Sequence, residues 1–145
     1  MTKSTNGKAG AYNLNDQVGY LLRLAHQRHA EIFKSHTIEK LTPTQFSALL
    51  RISQQGKVSQ NHLGRLAGMD VATVKGVVER LKDKGFVELK PDLEDKRRLV
   101  IFLSEKGENI VRGLEDIGMK ITEETLSPLN EAERATLVKL LQKLT

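Results

Sequence analysis

The segment 59–107 constrains the fold more than any other part of the chain. Its first half predicts two short helices, over 59–67 and 70–84, separated by a tight turn at Gly68. Each helix begins at a residue type that is preferred at helix N-caps. Gly85 follows the second helix and suits the left-handed conformation in which many helices end. The pattern therefore predicts two capped helices in immediate succession.

The second half of this segment predicts a β-hairpin with a charged tip. Two runs rich in β-branched and apolar residues, 86–90 and 99–103, flank the acidic and basic residues of 92–98. A two-stranded hairpin is marginally stable alone, so we expect it to pack on the helices. Helix, turn, helix and basic hairpin in this order predict a winged helix-turn-helix, in which the second helix enters the major groove of duplex DNA.

The charge balance agrees with a phosphate-bearing partner. The chain has 145 residues, with 23 Lys and Arg against 18 Asp and Glu, which gives a net charge of +5. Residues 1–60 carry a net charge of +5, whereas residues 104–145 carry −2. A basic front and an acidic tail suit a protein that turns one side toward DNA. Net charge alone is equally compatible with solvated helix faces.

Several classes of protein are excluded or disfavoured. The chain has no cysteine, which excludes a disulfide framework and a thiol redox switch. No apolar run approaches the ~20 residues of a membrane span, and the polar start has no signal-peptide pattern. We expect a soluble, cytoplasmic protein that begins with a flexible arm over 1–12. No nucleophile elbow, phosphate loop or metal-ligand array is present, so we expect neither an enzyme nor a cofactor.

Amphipathic helices are predicted on both sides of the winged module. Apolar residues recur at helical spacing over 15–36, and a second helix opens at Thr42 and Pro43 with Gln45 in capping-box position. Further helices are predicted from Ser104 to about residue 126 and again after Asn130. The apolar faces of the first and last helices have no obvious partner in the module. They belong either to a core or to a dimer interface.

Short motifs along the chain occur in the order found in a known family. They are Leu41-Thr-Pro-Thr-Gln-Phe46, Thr73-Val74, Arg80-Leu81, Gly85-Phe86-Val87, and the spaced set Asp95, Arg97, Leu103, Ser104 and Gly107. Together they resemble the MarR family (multiple antibiotic resistance regulators), and the likeness runs from about residue 15 to the C-terminus.

The resemblance implies a mainly α protein with a small β-hairpin wing, in which N- and C-terminal helices form a homodimer. It implies a single domain over 13–145, with dimerisation helices at 13–40 and 104–145 and a DNA-binding lobe at 41–103. Such dimers bind palindromic, inverted-repeat operators. Most repress transcription, and many release the DNA when a small anionic or phenolic aromatic compound binds.

In the second helix of the helix-turn-helix, the candidates for contact with base edges or phosphate are Ala72, Thr73, Lys75 and Gly76. Gly76 departs from the commoner family pattern, which has a long polar or basic residue near this position. A glycine inside a helix costs about 1 kcal/mol relative to alanine. Gly76 therefore either allows the helix backbone to approach DNA closely or is simply tolerated, and we slightly favour tolerance.

In the wing, Arg97 is the leading candidate, since the family pattern places this arginine in the minor groove, where narrow A·T tracts attract a guanidinium group. We expect Asp95 to orient Arg97, and Lys96 and Arg98 to contact phosphates without specifying sequence. Two further phosphate contacts are expected at the start of the first helix, where backbone amides also favour anions: Ser59 and Gln60.

For the effector, we expect an aromatic or heteroaromatic carboxylic acid held by charge-assisted hydrogen bonds. The candidate residues are Tyr20, Arg23, His26, Arg28, His29 and Phe46. A histidine at the position of His29 is more often a core or interface residue, and Tyr20 and Arg23 lie on the opposite helix face from it. Two alternatives remain open: DNA binding without a sensor, and a metal site that combines His26 and His29 with a carboxylate such as Glu31.

Overall fold

Six α-helices and one three-stranded antiparallel sheet are formed by residues 11–145, which are the residues described by the computed structural model. In chain order the elements are α1 (Val18–His36), α2 (Pro43–Gln55), β1 (Lys57–Ser59), α3 (Gln60–Ala67), α4 (Val71–Asp83), β2 (Val87–Pro91), β3 (Leu99–Leu103), α5 (Glu105–Thr125) and α6 (Glu131–Lys143). The predicted flexible arm over 1–12 lies almost wholly outside the described residues.

The chain folds into two compact units. One comprises Thr37–Lys120 and is called here the winged-helix unit. The other, called the terminal unit, comprises the described residues 11–36 together with Ile121–Thr145. The predicted lobe over 41–103 falls within the winged-helix unit. No helix of the described residues is long and apolar enough to cross a membrane.

The helix starts are set by local hydrogen bonds. In the capping box of α2, the Gln45 amide donates to the Thr42 hydroxyl at 3.3 Å, and the Thr42 amide donates to the Gln45 side chain at 3.2 Å. Asn130 forms a second capping box at the start of α6, and the side chains of Ser59 and Asp70 each accept one backbone amide at the starts of α3 and α4. The Ser104 hydroxyl likewise accepts from the Gly107 amide at 3.0 Å at the start of α5. All five predicted caps are confirmed, because each depends on residues at most three positions apart.

The first helix differs from its prediction. The expected helix over 15–36 begins only at Val18, after a separate 3-10 turn at Leu14–Asp16. The Asn13 side chain accepts a hydrogen bond from the amide of Asn15, and the Gln17 side chain donates to the Asn13 carbonyl oxygen. These side-chain bonds to the backbone compete with the helical pattern, and they delay the helix by three residues.

The sheet contains a strand that the sequence did not predict. β1 pairs with β3, so that the strand order is β1-β3-β2 rather than a simple hairpin. Val58 lies opposite Ile101 in this pairing, and both side chains are buried. The predicted strands over 86–90 and 99–103 are present as β2 and β3, with β2 shifted by one residue. Through β1, the segment between α2 and α3 is hydrogen-bonded to strand β3 of the wing.

The core of the winged-helix unit lies between α2, α3, α4 and the sheet. The predicted inward face of α4 is buried, and so are the apolar residues of α2 and α3 that face it. The buried residues include Phe46, Leu49, Ile52, Leu63, Val74, Val77, Val78, Leu81, Phe86 and Ile101. Burial of one face of α4 leaves its other face for solvent, which positions the site described next.

Candidate nucleic-acid interface

The turn between α3 and α4 is held by backbone geometry. Gly68 has φ +67°, in the left-handed region that favours glycine, and the Met69 amide donates to the carbonyl of Gly64 at 2.8 Å. A Cβ atom on Gly64 would meet the Met69 carbonyl oxygen at 3.1 Å, which is tighter than most Cβ contacts. Small residues at these positions therefore allow α3 and α4 to pack closely.

The exposed face of α4 lies over its first two turns. Asp70 accepts a hydrogen bond from the Thr73 amide at 2.7 Å, and this bond lowers the pKa of the Asp70 carboxyl group below its usual value. Among the predicted contact residues, Ala72, Thr73 and Lys75 are exposed, whereas Gly76 is half-buried. A capped helix with short side chains on its exposed N-terminal turns can enter a major groove.

Two aspartates organise the tip of the wing. The Asp95 carboxylate accepts hydrogen bonds from the Arg97 amide at 3.1 Å and from Arg97 Nε at 3.2 Å. The Arg97 side chain is nonetheless 92% exposed. Asp95 therefore restrains the arginine beside the turn and leaves its outer guanidinium nitrogens exposed for a ligand. Contact of Arg97 with DNA stays a prediction.

Arg98 forms an ion pair within the wing itself. Its guanidinium donates to Asp92 at 2.8 Å. Asp92 also accepts from the backbone amide of Glu94, and this bond, together with the one from Arg98, lowers the pKa of the Asp92 carboxyl group. The same ion pair raises the pKa of Arg98. The structure thus shows Arg98 closing the wing turn, while Lys96 is exposed beside it.

Ser59 and Gln60 lie at the start of α3, and both are half-buried. The Ser59 hydroxyl accepts a hydrogen bond from the His62 amide at 3.2 Å. Ser59 therefore has a structural function as a helix cap, and a phosphate contact at this position remains a prediction.

The candidate effector residues form more than one group. On α1, the Arg23 guanidinium carbon lies 5.6 Å from the centre of the Tyr20 ring, a distance typical of a cation–π contact. His26 is exposed on the same helix. Phe46 belongs to the winged-helix unit, where it is buried and lies near Gly118.

Arg28 and His29 bind the end of α5 within the terminal unit. The Arg28 guanidinium donates to the carbonyl oxygens of Thr125 and Glu124 and to the Ser127 hydroxyl. These carbonyls belong to the last turn of α5, and that of Glu124 also accepts from the Ser127 amide at 3.2 Å. His29 Nδ1 lies 3.1 Å from the Thr125 hydroxyl, and burial, followed by the charge of His26, lowers the His29 pKa. Both residues thus have structural partners far away in sequence.

His36 was not among the predicted site residues, yet its Nε2 lies 2.7 Å from a carboxylate oxygen of Glu124. Three side chains of α1 therefore contact the end of α5. The three-group metal site considered for His26 and His29 is not assembled, since no cluster of three potential ligands occurs within residues 11–145.

The fold and the site define a DNA-binding protein of the winged helix-turn-helix class. A buried scaffold presents one exposed helix face and one cation-bearing wing within a single compact unit. This is the arrangement in which such proteins contact base edges and the DNA backbone.

Comparison with known proteins identifies the family. The MarR family model matches residues 41–99. The chain is 37% identical over 134 residues to the HTH-type transcriptional repressor NicR of Pseudomonas putida, covering 92% of this chain and 85% of NicR. This chain belongs to the MarR family, and the predicted fold class is confirmed.

Two solved structures are similar over nearly the whole chain. A probable transcriptional regulator from Pseudomonas aeruginosa superimposes with a TM-score of 0.88 at 42% identity, covering 92% of this chain and all of the other. BpsR of Bordetella bronchiseptica, whose DNA binding is regulated by 6-hydroxynicotinic acid, has a TM-score of 0.88 at 38% identity, covering 93% and 97%. These relatives are transcriptional regulators rather than enzymes.

Proposed function

We propose that this chain is a homodimeric repressor that binds an inverted-repeat operator and releases it when a small aromatic or heteroaromatic carboxylic acid binds. The observation that carries the proposal is the pairing of the exposed α4 face with the cationic wing in one compact unit. Membership of the MarR family and the similarity to the repressor NicR support repression as the outcome of DNA binding.

Dimerisation is supported by apolar side chains that are exposed in the terminal unit. They lie on and just before α1 and along α6, and include Leu14, Val18, Leu21, Leu22, Leu140, Leu141 and Leu144. Contiguous exposed apolar surface on a soluble chain marks a protein-contact site. A second copy of the chain is the partner that an inverted-repeat operator requires, because the symmetry of such a DNA site mirrors that of the protein.

A pyridine carboxylic acid is the effector class that we favour. BpsR, which is regulated by 6-hydroxynicotinic acid, is 38% identical to this chain over nearly its whole length. In this chain, Arg23 and Tyr20 together offer a guanidinium group for a carboxylate and a ring for stacking. Arg28 and His29 are already bonded to the end of α5, so we assign them to the scaffold of the terminal unit rather than to first contact with the acid.

Release of DNA follows from a shift between conformations of the dimer. Two recognition helices fit one face of DNA when they are about 34 Å apart, the distance between successive major grooves. An acid that binds more tightly to a dimer with a different spacing lowers the population that fits the operator. The free energy of release is then limited by the difference in acid affinity between the two conformations.

The test is fluorescence anisotropy of the purified protein on duplex DNA from upstream of its own gene. We expect tight, salt-sensitive binding that 6-hydroxynicotinic acid reverses, while the matched amide, which lacks the carboxylate, has no effect. Arg23→Ala should abolish the response to the acid without weakening DNA binding, whereas Arg112→Ala, in the winged-helix unit, should leave both intact.

A different experimental result would contradict each part of the proposal. Binding that no benzoic, cinnamic or pyridine carboxylic acid disturbs would contradict the acid effector and favour a regulator without a sensor. Release by a divalent metal ion would favour a metal-responsive regulator. A monomer in light scattering at micromolar concentration would contradict the dimer.

A further inference from the structure

The first residue of α4 presents an apolar side chain to solvent. Val71 is 70% exposed, and the next two residues, Ala72 and Thr73, are exposed as well. The inward-facing Val74 is buried, so the helix is well packed and Val71 does not belong to its core. Single exposed valines are common on protein surfaces. This one lies on the N-terminal turn of the recognition helix, from which side chains contact base edges.

Hydrogen-bonding groups are scarce on this turn. Within 71–75, only the hydroxyl of Thr73 and the ammonium group of Lys75 can donate to a base. The Lys75 ammonium group can donate to O6 and N7 of guanine, but neither side chain offers the amide by which asparagine and glutamine recognise adenine. Hydrogen bonds from this turn therefore give no paired recognition of an A·T base pair.

The major groove carries one apolar feature, the 5-methyl group of thymine, and apolar side chains recognise it by contact. We propose that Val71, together with the methyl group of Ala72, specifies thymine in each operator half-site by packing against this 5-methyl group. The inference rests on the proposed function, in that α4 enters the major groove. Val71 was absent from the sequence-based site residues because a valine at the start of a helix resembles a core residue until its exposure is known.

The test compares thymine with uracil, which differ only by the 5-methyl group. Duplexes that bind the wild-type protein are first selected from a random-sequence library. Every thymine of one half-site is then replaced in turn by uracil, and affinity is measured by fluorescence anisotropy. We expect one or two positions at which replacing thymine by uracil weakens wild-type binding about fourfold. This is the loss of affinity expected when one buried methyl group is removed.

The variant Val71→Ala should bind thymine and uracil duplexes at those positions with nearly equal affinity. Lys75→Ala is the matched control, because loss of a cation should weaken both duplexes equally and preserve the wild-type ratio. Since Val71 is exposed and alanine favours helices, Val71→Ala should not lower the melting temperature, which separates loss of contact from loss of fold.

The outcomes distinguish this inference from the proposed function. If no position shows a thymine preference, or if Val71→Ala keeps the full wild-type preference, the inference is overturned while DNA binding stands. If the library yields no enriched duplex at all, the proposed function is overturned, and the inference with it.

Discussion

The ammonium group of Lys84, at the end of α4, donates a hydrogen bond to the buried side-chain oxygen of Gln45 at 3.2 Å. It also donates to the carbonyl oxygens of Glu39 at 3.0 Å and Lys40 at 3.2 Å. Both of these residues have positive φ, at 52° and 56°, which non-glycine residues rarely adopt. Lys84 thus stabilises the strained turn before α2 through hydrogen bonds that connect this turn to the end of α4.

Lys84→Met should lower the free energy of unfolding by about 1–2 kcal/mol, because it removes the hydrogen bonds from one charged ammonium group to three acceptors. Urea denaturation gives this difference directly. Lys82→Met, at an exposed position of the same helix, is the matched control and should change stability little. Equal stability of the two variants would show that the Lys84 contacts contribute nothing in solution.

Gly107→Ala should destabilise the winged-helix unit by roughly 1–3 kcal/mol, the range found when a packed site is overfilled. A Cβ atom at Gly107 would lie 2.0 Å from the carbonyl oxygen of Phe86, so the backbone itself must move. Gly113 lies in the same helix with no atom within 4 Å of its Cβ position. Gly113→Ala should therefore stabilise the protein, and thermal unfolding of both variants measures the contrast.

Arg97→Ala should weaken operator binding about tenfold, within the range for loss of one specific arginine contact. The fold should be unaffected, because the Arg97 side chain is almost fully exposed. Anisotropy at a fixed salt concentration measures the affinity. Arg112→Ala removes an exposed arginine from α5 of the same unit and controls for the change in net charge. If Arg97→Ala bound the operator with unchanged affinity, Arg97 would not be part of the DNA interface.

The parts of the structure that could be predicted from the sequence are those determined by neighbours along the chain. Thr42, Ser59, Asp70 and Asn130 each cap a helix through an amide three residues away, so the residue types alone predict the contact. The buried face of α4 follows in the same way from helical spacing.

The parts that could not be predicted depend on partners far along the chain. β1 has only three residues, and it is a strand because Val58 pairs with Ile101. The hydrogen bonds of Arg28 to the carbonyls of Glu124 and Thr125 could not be predicted either, because these residues are 96 and 97 positions away. Sequence spacing carries no information about such pairs, and an arginine that caps a distant helix has the same local pattern as one that binds a ligand.

His29 should make stability depend on pH. Burial and the charge of His26 lower its pKa in the folded chain below the usual 6.5. The unfolded chain therefore binds more protons just below pH 6.5, so stability is complete above that pH and is lost as the pH falls toward the folded-state pKa. His29→Gln should flatten this loss between about pH 7.5 and 5.5.

The measurement is the urea midpoint at several pH values. The matched control is His62→Gln, which removes one imidazole group from the winged-helix unit. Neither substitution removes a side chain of the nearby pair of His36 and Glu124. If the two variants share the wild-type pH dependence, His29 does not control it.

Gly76→Ala separates the two interpretations of the glycine in the recognition helix. No atom lies within 4 Å of the Cβ position of Gly76, so the free protein has room for alanine. Replacing a glycine inside a helix should then raise the free energy of unfolding by about 0.5–1 kcal/mol. Gly76 lies three residues after Thr73 and four after Ala72, and therefore on the same exposed face of α4. Because Ala72 already places a methyl group on this face, we expect operator affinity to stay within about twofold, by anisotropy on the selected duplex. A tenfold loss of affinity in a more stable protein would instead show that the helix backbone at Gly76 approaches the DNA too closely for a methyl group.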